Sequence, residues 1–134
     1  MKDETINKLL YELDDIIPPK RISAFRAELV PLSEDTYNKI MAVKTSNAFV
    51  ALLLGFFLGF LGINRFYIKQ YILGALKVAL TALTVVVFTL TQLDPVIKFC
   101  TLFFYAVVYC LDFGFSFTSC RYVNLKAIKK VMHN

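Results

Sequence analysis

The chain is 134 residues long, 57% hydrophobic and 19% charged, with a mean hydropathy of +0.60. Soluble domains are roughly 45–50% apolar and about 25% charged; this composition excludes global disorder, which needs low hydrophobicity, and three cysteines are too few and odd in number for a disulfide scaffold. The net charge of +5 is uneven, with seven Lys/Arg against eight Asp/Glu in residues 1–44 and eight against two in residues 45–134, and a half that is both basic and strongly apolar reads as membrane with cationic flanks, not as a nucleic-acid binder.

The opening MKDETINKLL lacks the basic start and apolar run of a secretory signal. The first apolar run, after Lys44, is therefore expected to act as an uncleaved insertion signal. Residues 1–44 read as a polar, soluble helical region with three short helices. Ile6, Leu9, Leu10, Leu13, Ile16 and Ile17 recur at the spacing of one helical face. Asp3, Glu4 and Thr5 suit its start, where free N–H groups and the helix dipole favour acidic and capping groups, and Pro18-Pro19 stops it. A second pattern runs from Arg21 to Val30 and ends at Pro31. Ser33 reads as the N-cap of a third, through Tyr37, Ile40 and Met41. Two readings are open for this region: a hairpin that covers its own apolar stripe, and a docking surface for a protein partner or a second copy.

Residues 45–64 carry no charge, a run of twenty, about the length that crosses a ~30 Å hydrocarbon core. A second run, Tyr71 to Leu93, is interrupted only by Lys77 and ends at Asp94-Pro95. A third, Phe99 to Cys120, is interrupted only by Asp112. The expected fold class is all-α: an integral membrane hairpin or bundle of two to three hydrophobic helices with a short soluble helical region before it. Glycines and Asn64 thin the end of the first run, which leaves both a shallow element and a full crossing open. The expected domains are the polar region 1–44, a membrane domain 45–120 and a basic tail 121–134.

Gly55, Gly59 and Gly62 share one helical face, and Ala75, Ala79 and Ala82 form a matching stripe on the second run. Small residues let helix backbones approach closely in lipid. The pairing is expected within the chain, with a homodimer contact as the alternative. Between the stripes, Asn64, Arg65, Phe66 and Tyr67 form a linker in which Arg65 reaches lipid phosphates or helix C-terminal carbonyls and Phe66, Tyr67 and Tyr71 form an interfacial aromatic belt.

The segment Gly62-Ile63-Asn64-Arg65-Phe66-Tyr67-Ile68-Lys69-Gln70 with Gly74-Ala75-Leu76-Lys77 resembles the TM-two domain family, paired transmembrane helices joined by a short linker. Gly59, Gly62, Arg65, Phe66, Tyr67, Gly74 and Lys77 fit its pattern, and Tyr109 and Asp112 fit its closing aromatic and acid. Asn64 stands where the family has Asp or His, and Lys69 where it has Gly. The resemblance covers about residues 46–117 and implies a membrane location; it implies no common reaction.

Lys77 and Asp112 are the two charges inside the apolar runs. Such charges are costly and usually pair or line a polar path, so a Lys77–Asp112 or Arg65–Asp112 contact is expected to set the bundle. Cys100, Cys110 and Cys120 are not at metal-ligand spacing and read as small buried hydrophobes. No catalytic set, metal site or cofactor motif is expected. The expected partners are the lipid bilayer, further copies of the chain, and a protein bound through residues 1–44. Arg121, Lys126, Lys129 and Lys130 place the C-terminal tail in the cytoplasm, in a cytoplasmic membrane of bacterial type, and charge counting then favours three crossings with residues 1–44 outside. The functions left open are a non-enzymatic adaptor or scaffold that self-associates, a pore or transporter subunit with Asn64, Lys77 and Asp112 on its path, and a protective partner of a membrane-active or secreted protein.

Overall fold

The computed structural model describes residues 1–90, 92 and 94–133, and the described residues contain helices and turns but no strand. Helices α1 (Asp3–Leu13), α2 (Ile22–Leu29) and α3 (Asp35–Met41) precede the apolar α4 (Ala48–Leu58). The short α5 (Ile63–Tyr67) leads into α6 (Tyr71–Leu90) and the long α7 (Pro95–Met132). Leu93, the expected end of the second apolar run, lies outside the described residues. The chain forms two compact units, residues 1–48 with 118–134, and residues 49–117.

The first unit closes a core on the expected stripe of α1. Ile6 and Leu9 of α1 and Ile17 after it are buried with Phe25 and Leu29 of α2, Ile40 of α3, and Leu125 and Ile128 of α7. The apolar face of residues 1–44 is therefore covered partly by its own helices and partly by α7. Residues 121–132, expected within a separate tail 121–134, are the end of α7 and supply three core side chains, Leu125, Ile128 and Met132. The cause is apolar burial: these side chains of α7 complete the core, and the Arg121–Asp15 and Lys129–Glu28 ion pairs form beside it. Ser33 stands at the start of the third helix, where its carbonyl accepts the Thr36 N–H at 3.2 Å and its hydroxyl pairs with that of Thr36 at 3.2 Å.

Asn124 is a buried clamp in this unit. Its Nδ2 donates to the Ser46 carbonyl at 2.8 Å, and its Oδ1 accepts from the Ser46 N–H at 2.9 Å. One amide side chain thus pairs with both backbone polar groups of a residue outside any helix, where the backbone needs such partners.

In the second unit, α6 and α7 run antiparallel, with Thr81 bonded to Tyr105 and Lys77 to Asp112. Two helices among the described residues are long and apolar enough to cross a membrane, Tyr71–Thr89 and Pro95–Met132. Their apolar windows are 11% and 0% buried, unlike the core helix of a soluble protein. Cys100 and Cys110 share this outward placement, and Cys120 alone is buried, because the apolar surroundings expected for them are supplied by lipid and not by protein. Ala48–Leu61 is apolar but shorter, about 21 Å at 1.5 Å per residue. Of the three apolar runs, two form helices of spanning length among the described residues, and the first does not. The first run breaks at Leu58, passes through a 3₁₀ turn at Gly59–Leu61 and reverses at Gly62 in the left-handed conformation.

Asn124→Ala removes both hydrogen bonds to the Ser46 backbone. It is expected to destabilise the first unit by about 1–3 kcal/mol, read as earlier loss of amide-exchange protection at residues 6–29 than at residues 71–89.

Candidate functional site

Gly62 has φ +68°, and a Cβ there would meet the Gly74 carbonyl oxygen at 2.8 Å. Both conformation and space thus require glycine. Gly74 in turn lies under the Phe66 ring, where a Cβ would be 3.0 Å from the ring carbons. This close approach locks α5 on the start of α6 and buries Asn64 and Arg65.

The buried groups converge on Asp112. Arg65 donates through Nε at 2.6 Å and through its terminal nitrogen at 2.5 Å to Asp112 Oδ1. Lys77 Nζ and Asn64 Nδ2 donate to Oδ2, the amide at 3.0 Å. Asn64 also donates to the Ser116 hydroxyl at 2.6 Å, which donates to the Asp112 carbonyl at 2.8 Å, and Arg65 reaches Gln70 Oε1 at 2.7 Å. Both expected ion pairs therefore form, on one carboxylate. Arg65, expected to face lipid phosphates or helix ends, is turned inward and buried because the carboxylate is a stronger partner than a dipole end. Asn64 acts as a donor; an ionised Asp in its place would set two carboxylates side by side.

Tyr109 braces the cluster. Its hydroxyl donates to the carbonyls of Gly55 and Phe56, at 3.0 and 2.8 Å, and Lys77 Nζ lies 5.3 Å from its ring centroid, within cation–π range. Gly59 leaves room for that ring, since a Cβ there would approach it to 3.1 Å. A Cβ at Gly55 would meet Asn64 at 3.4 Å and Ser116 at 3.7 Å. The glycine stripe thus packs on the Tyr109–Ser116 face of α7 and on Asn64, and not on the alanine stripe of α6 as expected. Ala75, Ala79 and Ala82 are exposed. Hydrogen bonds to buried polar groups outweigh the small contacts that two small-residue stripes make in lipid. Tyr67 is half-buried, and Phe66 stacks at a tilt on Tyr71 with 6.4 Å between centroids.

Ser116, Gln70 and Asn124 were not singled out from the sequence. Ser116 lies one helical turn after Asp112, and that spacing is the signal that would have found it. Gln70 and Asn124 carry no periodic signal.

Residues 44–93 match the TM2 domain. No curated protein and no solved structure matches the chain. The match holds the linker, Gly74 and Lys77; Tyr109 and Asp112 lie beyond it, although Asp112 is where the matched polar side chains meet. With two helices long and apolar enough to span, the TM2 domain marks a small membrane protein.

The linker also carries a strained position. Lys69 has φ 63°, with its N–H on Phe66 O and the Gln70 N–H on Arg65 O, the pattern in which a helix ends on a left-handed residue that is usually glycine. Lys69→Gly is expected to stabilise the membrane unit by roughly 0.5–1 kcal/mol, the left-handed penalty less the added chain entropy. A shifted unfolding midpoint in mild detergent checks it.

Proposed function

We propose that the protein is a non-enzymatic membrane adaptor. Helices α6 and α7 form a two-span hairpin, the chain self-associates, and its polar head meets a protein partner on the cytoplasmic side. The observation that carries this reading is that residues 1–48 and 118–134 build one compact unit. Segments folded into one unit lie on one side of a bilayer, so the number of crossings is even. Ala48–Leu61 then enters and returns. The head carries Lys39, Lys44, Arg121, Lys126, Lys129 and Lys130, whereas Asp94 and Lys98 stand at the opposite end of α7. The positive-inside rule makes the head side cytoplasmic.

Self-association is supported by the exposed Ala75, Ala79 and Ala82 on α6, a spacing suited to close helix packing. Gly55 and Gly59, which have the same spacing, are used inside the chain. Partner contact falls to the outer face of the head, where Tyr11 is 86% exposed and Val30 55%, since the stripe of α1 is internal. A pore is less well supported. Asn64, Lys77 and Asp112 bond to one another, whereas a conducting path needs polar groups that face water.

Topology reporters fused to each end of the full chain test the hairpin, and both are expected in the cytoplasm; one external end contradicts it. In mild detergent the particle mass is expected to be at least twice the 15.3 kDa chain, and Ala79→Leu is expected to yield monomers. A monomeric unmutated chain contradicts self-association.

A further inference from the structure

We infer that the cleft beside Asp112 binds the phosphate of an anionic phospholipid. The cleft has a volume of 180 Å³, and its lining includes Arg65, Lys77, Asp112, Leu73, Leu76 and Leu80. Its charges do not balance. Arg65 and Lys77 share the single carboxylate of Asp112, and Asn64, Gln70 and Ser116 are neutral. Asp94, the other acid of residues 45–134, precedes α7 at the far end of the hairpin, about 25 Å along the helix. One positive charge is left over in apolar surroundings, where an unmatched charge is costly.

Unused donors accompany that charge. Lys77 Nζ has three N–H groups and, among the described residues, one hydrogen-bond acceptor, Asp112 Oδ2. Arg65 has five, of which three are directed to Asp112 and Gln70. Phosphate oxygens are suited to such donors, above all to guanidinium. The apolar part of the lining identifies the carrier. Leu73 and Leu76 are exposed on α6, so the cleft opens among side chains that an acyl chain covers and a free ion cannot use. Lys77 is six residues into α6 from Tyr71, about 9 Å, a depth an inward-drawn headgroup phosphate reaches near the edge of the hydrocarbon.

The test uses the full chain in nonionic detergent, with bound lipid read by native mass spectrometry, per chain and so independently of self-association. Phosphatidylglycerol is expected to be retained about fivefold over phosphatidylcholine, the effect of one cation near an anionic headgroup. Millimolar inorganic phosphate is expected not to displace it. Lys77→Met removes the surplus cation and is expected to abolish the preference; Lys77→Arg is expected to keep it. Equal retention of the two lipids by the unmutated chain overturns the site whether or not the variants fold. Displacement by inorganic phosphate assigns a free anion and overturns the lipid as its source.

Discussion

A single carboxylate organises the membrane unit. Asp112 sits among apolar helices, where an unpaired charge is not tolerated, and it takes Arg65 from the linker and Lys77 from α6 as partners. Breaking a buried pair by removing one member costs about 3–5 kcal/mol, a large fraction of the stability of a small domain. The local geometry follows from delivering those partners. Gly62 and Gly74 allow the close approach that brings α5 to α6, and Gly59 leaves the space for Tyr109 that holds the end of α4 on α7.

This constraint also explains the short first apolar helix. Twenty uncharged residues are enough to cross a bilayer, but the run ends in Asn64, whose amide is bonded to Asp112 and Ser116. A helix continuing straight through Gly62 could not turn that amide inward. The chain instead breaks at Leu58 and reverses. The polar head has a different origin, with acidic helices and a basic helix end closing over one apolar core.

Much of this was legible in the sequence. The stripe of α1, the two long apolar helices and the membership of Arg65, Lys77 and Asp112 in one contact are local or chemical signals: periodicity, composition, and the cost of charge in lipid; α1 itself ends at Leu13, before the proline pair expected to stop it. The errors concern partners distant in sequence. The Gly55–Gly59 face has the spacing of the alanine stripe of α6, yet it packs on α7, because spacing defines a face and not what the face meets. The end of α7 looked like a solvated basic tail because its core residues, Leu125, Ile128 and Met132, are interleaved with lysines. Asn124 is one polar residue among several, and only the folded chain brings it to Ser46.

The central claim is that Arg65 and Asp112 are energetically coupled inside the membrane unit, and a double-mutant cycle tests it most directly. Unfolding free energies in mild detergent are needed for the unmutated chain, Arg65→Met, Asp112→Asn and the double variant. The account predicts a coupling of about 2 kcal/mol or more, with the double variant more stable than Asp112→Asn alone. Additive effects, within about 0.5 kcal/mol, would contradict it.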